Sequence, residues 1–320
     1  MSRLKILIAS SKHDGANYGS VAQHLTNSGC EVLLFEPDSI ADGSRPFGLR
    51  IAPDGKLAMK YDGKAFDPAM FQAAWHRRPH YFGEHKDPLR WLSLKDEYGS
   101  LMKSISQLVP AERWLNSAVA MQLAGQKIPQ LVKAAEHGFA VPETVISNRW
   151  EPIEVVAADE LIVKMAELPV LYPEGHRKTL PTTVVPRRAL PKQAASYPGI
   201  WQPYHAKRKE WRVTVVGDQV FAAAIYTDPT AKDDWRQHQE TPAVTFKAEQ
   251  FPKALSDKCR SFLRTLGLRY GAFDFIERPD GEMIFLEVNP NGQFMWLEDQ
   301  LGLPISRAIA DELIAIAQAN

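Results

Sequence analysis

Asp274, Glu287 and Asn289 are the residues whose types and spacing ask most directly for chemistry. Asp274 lies in the apolar run GAFDFI, and the other two lie in MIFLEVN, with ERPDGE between the runs. Asp280-Gly281 is a preferred central pair for a two-residue hairpin turn. With that pair at the tip, Pro279 faces Glu282, and counting outwards Asp274 faces Glu287. Paired residues point to one side with Cβ atoms ~4.5–5.5 Å apart. Asn289, two residues beyond Glu287, shares that side. Phe273, Phe275, Leu286 and Val288 are expected on the other, apolar side.

Two opposed carboxylates repel unless a cation sits between them or one is protonated. Oxygen ligands without His or Cys suit a hard divalent ion, Mg²⁺ or Mn²⁺. Magnesium usually completes its shell with water and substrate phosphates, so the set implies a polyphosphate. The alternative is a solvated hairpin face. The large apolar partners and the strand-ending Pro290 weigh against it.

Lys164 adds a cation inside the strand-like run LIVKM. A buried lysine needs a partner, either a structural carboxylate or a phosphate. Lys127, ahead of a helical stretch, reads alone as an exposed helix lysine.

These residues need elements to position them. The first segment reads α/β: LKILIAS and CEVLLFEP are buried strands, and SVAQHLTNSG between them is a helix stopped by Gly29. No G-x-G-x-x-G opens that helix, which disfavours a dinucleotide fold. LAMKYDGKAF is expected to pair around Asp62-Gly63, and FQAAWHRRP to be a strand running into Arg77-Arg78-Pro79. Residues 89–109 read as a helix, and a boundary falls near Pro110. Leu131, Val132 and Ala135 form the next helical stripe. EWRVTVVGDQVFAAAIY is a hairpin around Gly217-Asp218, a helix spans 251–266, and the last helix (304–318) carries Ile305, Ile309, Leu313 and Ile316 on one side.

A chain of 320 residues suggests two or three packed units. Lys+Arg 38 balances Asp+Glu 38, so no global field argues for nucleic acid or an acidic membrane surface. The eight tryptophans are scattered, as in core packing. Two cysteines cannot build a disulfide framework, and no apolar run reaches the ~18 residues of a membrane span. The N-terminal apolar run is too short for a signal peptide, and the expectation is a cytoplasmic protein.

The order of these features resembles the ATP-grasp ligases: Lys127, GFAVPET, LIVK, WQPY, EWRVTVVGDQVFAA, AFDF and FLEVNPN. Within them it most resembles the graspetide-type (microviridin-like) peptide ligases. That likeness rests on Trp75-His76-Arg77-Arg78-Pro79, Trp114-Leu115-Asn116, Asn289-Pro290-Asn291-Gly292-Gln293, Trp296-Leu297-Glu298 and Gly302-Leu303-Pro304-Ile305. The resemblance implies an α/β ATP-grasp fold with an N-terminal substrate- or leader-binding domain (1–110) and two subdomains (111–199 and 200–320) that clasp ATP.

It further implies that Lys127 and Lys164 bind ATP phosphates. Gln202, Pro203 and Tyr204 would form the hinge strand at adenine, and Glu210 would lie by the nucleotide. Arg212 would contact the γ-phosphate and acyl phosphate, and Asp274, Glu287 and Asn289 would hold Mg²⁺. The activity implied is ADP-forming joining of a carboxylate to a hydroxyl or amine on a peptide, the partner being a precursor peptide. An amino-acid or glutamate ligase is the second choice, and a non-catalytic nucleotide-binding module the third. A homodimer stays open.

The chain departs from many ATP-grasp enzymes after Lys164, where AELPVLYPEGHRKT has one glycine, Gly175. His176, Arg177 and Lys178 are candidate phosphate cover there, with a solvated loop tip the stronger reading. Arg77 and Arg78 could grip a peptide carboxylate or form an interdomain ion pair. The basic cluster His205 to Lys209 is read as a substrate contact ahead of a solvated turn.

Overall fold

The structure is a computed structural model that describes residues 3–79, 87–165, 170–171, 178–179, 182–189, 198–228, 235 and 241–320. Gly175, His176 and Arg177 lie outside the described residues.

Strand β1 (Lys5–Ala9), helix α1 (Gly15–Asn27) and strand β2 (Glu31–Phe35) form the expected parallel unit, with Ile8 opposite Leu34. The helix ends at Gly29, whose φ of 83° is costly for residues with a Cβ. Helix α2 (Pro37–Ala41) follows, then the ribbon β3 (Phe47–Ile51), β4 (Leu57–Tyr61) and β5 (Lys64–Ala65). Its last turn is the predicted Asp62-Gly63 pair, both at positive φ. Strand β6 (Ala73–His76) joins β1 in parallel, giving the order β2-β1-β6.

Helix α3 (Pro88–Leu108) starts on an Asp87 cap, whose side chain accepts from the Leu89 and Arg90 amides. Helices α4 (Ala118–Ala124) and α5 (Lys127–Glu136) lead to the central sheet. That sheet contains β7 (Val145–Ser147) and β8 (Glu160–Lys164). After the two-residue strands β9 (Val170–Leu171) and β10 (Lys178–Thr179), β11 (Thr183–Pro186) and β12 (Gly199–Pro203) complete it in the order β11-β8-β12-β7.

The third sheet holds β13 (Lys209–Val216), β14 (Gln219–Thr227), β15 (Val244–Ala248), β16 (Tyr270–Glu277) and β17 (Met283–Asn289), ordered β15-β14-β13-β16-β17. Helix α6 (Lys253–Thr265) packs Cys259, Phe262 and Leu263 into one core with Val213, Phe273 and Phe285. Helices α7 (Met295–Leu301) and α8 (Ile305–Ala319) end the chain. The apolar side of α8, including Ile305, Ile309, Leu313 and Ile316, joins a core with Ile6, Ile8 and Trp75. The C-terminal helix therefore covers the N-terminal parallel sheet.

Two features of the sequence reading need correction. Arg278 and Glu282 close the β16–β17 turn, so its loop is Pro279-Asp280-Gly281, three residues with Gly281 at φ 88°. Near that turn Glu277 faces Met283, one position away from the expected register. A β-bulge then places one extra residue, Leu286, on β17, and Asp274 meets Glu287 after all. The longer loop and the bulge cancel. Beyond the bulge the core face carries Phe285 in place of Leu286. The stripe of α5 is also shifted: Gln130, Leu131 and Ala134 are buried, whereas Val132 and Ala135 are exposed.

Candidate active site

One row of residues runs across three strands. Arg212 on β13 faces Asp274 on β16, which faces Glu287 on β17. The next row holds Thr214, Ala272 and Asn289. Side chains two apart on a strand share a face, so Arg212, Asp274, Glu287 and Asn289 lie on one side. Arg212 Nε lies 3.1 Å from Asp274 Oδ1, with both side chains at most a tenth exposed. A buried forked cation beside a carboxylate fixes that side chain's direction.

Lys127, the first residue of α5, places Nζ 3.8 Å from Glu287 Oε2 and donates to Met165 O at 3.4 Å. Lys164 ends β8 beside that carbonyl. Burial pushes its ammonium down to about 8, and the positive Lys127 adds to that, while Glu287 and Asp274 act to retain the proton. The structure thus brings together Lys127, Lys164, Arg212, Asp274 and Glu287, with Asn289 in the adjoining row.

Gln202 and Pro203 lie on β12, against Ile162 and Leu161 of β8, and Tyr204 donates its amide to Glu160 O at 2.9 Å. Gln202 is buried; its Nε2 donates to Thr144 Oγ1, and its Oε1 has no partner among the described residues. Glu210 shares the face of Arg212 and accepts from Lys207 Nζ at 2.6 Å. Within the basic run 205–209, read as a substrate contact, Lys209 alone is buried, whereas Arg208 is exposed and Lys207 pairs with Glu210. Lys209 is buried and pairs with Glu249 at 2.6 Å, and Arg208 pairs with Glu277.

Two opposed carboxylates and an amide offer hard oxygen donors to a divalent ion, the donor chemistry that Mg²⁺ or Mn²⁺ prefers. Among the described residues no group of three or more His, Cys, Asp or Glu is suited to a metal. An ion held here would need further oxygen ligands from water or from a bound anion.

Sequence reasoning assigned no role to the residues that hold this strand in place. β17 is an edge strand, and Gln130 on α5 takes both backbone groups of Val288, between the two ligand candidates. Gln130 Nε2 donates to Val288 O at 2.8 Å, and its Oε1 accepts from Val288 N at 2.9 Å. Asn116 does the same for the exit loop, donating to Pro290 O at 2.9 Å and to Tyr270 O at 2.8 Å. The signal for Gln130 was an amide in an otherwise apolar helical stripe, one turn after Lys127.

Replacing Gln130 by Ala strands a buried amide and carbonyl on Val288, a loss of about 1–3 kcal/mol. If this face holds Mg²⁺, the expected result is Mg²⁺ affinity lowered at least about tenfold, since partners behind a ligand typically contribute 10–100-fold. Gln130→Leu showing wild-type Mg²⁺ dependence would dismiss the positioning role.

The fold has solved counterparts. The structure superposes on a Chryseobacterium gregarium RiPP-associated ATP-grasp ligase, solved in complex with ADP and a leader and core peptide, at a TM-score of 0.85 and 25% identity, covering 98% of this chain and 97% of that one. The chain has the ATP-grasp fold. A second likeness is to the macrocyclase MdnC from Microcystis aeruginosa MRC bound with precursor peptide MdnA, with a TM-score of 0.81, 24% identity, and coverage of 98% and 100%. A third is to the ATP-grasp ligase PsnB complexed with a phosphomimetic variant of minimal precursor, Mg and ADP, with a TM-score of 0.75, 20% identity and 98% coverage of both chains. No protein-family model and no curated protein sequence matches the chain.

Proposed function

We propose that this chain is an ATP- and Mg²⁺-dependent ligase that activates a carboxylate of a peptide and joins it to a hydroxyl or amine. The observation that carries the reading is the convergence of Lys127, Lys164 and Arg212 on the opposed pair Asp274 and Glu287. The peptide and the nucleotide are supported by the resembling C. gregarium ligase, whose structure contains ADP and a leader and core peptide.

Asp274, Glu287 and Asn289 would hold Mg²⁺, which supplies charge neutralisation for a bound triphosphate. Lys127 and Lys164 bind the phosphates and hold them against that face. Gln202, Pro203 and Tyr204 line the adenine end, with Glu210 beside the nucleotide. A substrate carboxylate oxygen attacks the γ-phosphorus, the bond to the ADP oxygen breaks, and ADP leaves. Arg212 stabilises charge on the transferred oxygens. The hydroxyl or amine then attacks the acyl carbon, the carbon–oxygen bond to phosphate breaks, phosphate leaves, and the nucleophile's proton is released.

The working units are 1–110 for substrate and leader, and 111–199 with 200–320 for the nucleotide. The reading places the enzyme in the cytoplasm. No helix among the described residues is long and apolar enough to cross a membrane.

The test supplies synthetic peptides bearing Glu or Asp with Ser, Thr or Lys, and follows ADP release and peptide mass. With a cross-linking ligase the peptide loses the mass of one water per bond, and one ADP is released. Mass gain by an amino-acid residue would instead indicate a tail-modifying ligase. Tight ADP binding with no stimulation by any carboxyl compound would leave a non-catalytic nucleotide module and refute the proposal.

A further inference from the structure

Three guanidinium groups converge at the loop 290–293, and among the described residues two of them have a carboxylate. Arg77 is fully buried; it donates through Nε to Asp14 Oδ2 at 2.8 Å and through Nη1 to Asn291 O, Asn291 Oδ1 and Gly292 O at 2.9–3.0 Å. Arg212 has Asp274. Arg78 has no carboxylate partner among the described residues; its Nη2 donates to Asn291 O at 3.3 Å.

The three groups belong to one place. Tyr270 OH donates to Gly292 O at 2.7 Å, and the charges of Arg77, Arg212 and Arg78 all act on that hydroxyl. A Cβ on Gly292 would stand 3.5 Å from Arg212 Nη1 and would overlap Ala272 Cβ at 2.4 Å. Glycine there lets the loop lie directly on the Arg212 face. Asn291 N donates to Asn289 Oδ1 at 2.9 Å, so the partner of Arg78 is two residues beyond a candidate metal ligand.

Arg78 is half-buried, and removing a guanidinium from water beside a second one, with no carboxylate paired to it directly, is costly. Desolvation and the like charge of Arg77 both act against the Arg78 cation, and the negative charge of Asp14, paired to Arg77, offsets only part of this. A carboxylate met in forked geometry offsets that cost better than any neutral group. Arg77 Nη2 is also buried and has no hydrogen-bond partner among the described residues, a spare donor beside the site.

We propose that Arg78 binds the carboxylate that is to be activated, holding it across the 290–293 loop from Arg212. The proposal rests on the ligase reading and names where its acid substrate is gripped. Arg77 is the positioning residue that fixes the loop between them.

The test titrates the full chain, with and without ADP and Mg²⁺, by ligand-observed NMR. The probes are N-acetyl-L-glutamic acid α-amide (a side-chain acid), N-acetyl-L-alanine (an α-acid) and neutral N-acetyl-L-glutamine α-amide. Wild type is expected to bind an acid and not the neutral amide, and the acid that binds identifies the carboxylate's source. Arg78→Gln should weaken acid binding at least about tenfold, a charge-assisted hydrogen bond being worth about 1.5–3 kcal/mol. Arg78→Lys should recover part of it, keeping the charge and losing the fork. ADP affinity should stay within about twofold, since no phosphate contact is assigned to Arg78. Equal binding of acid and neutral amide by wild type would overturn the proposal, as would unchanged acid binding in Arg78→Gln. If wild type does not bind ADP, the ligase reading falls separately, and the titration without nucleotide still decides Arg78.

Discussion

Replacing Glu287 by Gln abolishes ATP turnover and leaves the fold standing. Glutamine keeps the shape and one oxygen but removes the charge that faces Asp274. On the proposed reading a hard divalent ion would lose one of its two carboxylates, and even partners one shell further out contribute 10–100-fold to metal affinity. Turnover at fixed Mg²⁺ should therefore drop by at least about a hundredfold.

Stability responds the other way. Directly opposed like charges on neighbouring strands are destabilising by a few tenths to 1 kcal/mol. Against this, the 3.8 Å contact with Lys127 is partly exposed and worth little. The melting temperature should stay within about 3 °C of the parent. Asp274→Asn separates the two roles of the pair. It also abolishes turnover, but it removes the counter-charge of the buried Arg212 and should destabilise by about 1–3 kcal/mol. Calorimetry and ADP release on both variants check this. Glu287→Gln at wild-type rate, or a loss of rate explained by unfolding, would remove the metal role.

The pairing of Asp274 with Glu287 was legible for an instructive reason. A strand has period two, so a register error of one residue would have sent Glu287 to the core. The sequence called a two-residue turn where a three-residue loop forms, an error of that size. The bulge at Leu286 restores the alignment. A bulge leaves little trace in the residue pattern, and its mark appears only afterwards, in Phe285 taking the core place expected of Leu286. Local signals were sound where chemistry is local: Asp62-Gly63, Gly217-Asp218 and the glycine stop at Gly29 all read correctly.

What pattern reading could not supply was contact between distant segments. That the last helix would cover the first sheet depends on tertiary packing, since an apolar side does not name its partner. The same limit applied to Gln130. Its amide pairs with Val288 across 158 residues, a relation no spacing rule encodes. Lys127 read as an exposed helix lysine until the helix was placed against β17. At the Lys209 end of the basic run 205–209 the error ran in the opposite direction. Its charges looked available, and Lys209 is buried against Glu249 and Glu277.

Lys164 carries the second large expectation, and its sign can be worked out. Burial lowers the ammonium to about 8, against 10.5 in the unfolded chain. Between those values the folded protein binds fewer protons than the unfolded one, so this group's contribution to stability rises with pH across that window. Below about pH 8 the fold carries a half-buried cation at a cost, which a bound phosphate would offset. Nucleotide binding should therefore favour protonated Lys164. Affinity for a non-hydrolysable ATP analogue should hold below about pH 8 and fall above it, at most roughly tenfold per pH unit.

Lys164→Met removes both effects. Affinity at pH 7 drops roughly 10–100-fold, the worth of a charge-assisted hydrogen bond to phosphate. The fall above pH 8 disappears, because the nucleotide's phosphates are already fully ionised there. The unliganded variant should melt higher than wild type at pH 7, since methionine fills the site without a buried charge. Titration calorimetry between pH 7 and 9.5 with thermal melts on both proteins reads all three. A variant that loses affinity and stability together would mean that Lys164 holds the fold and not the nucleotide.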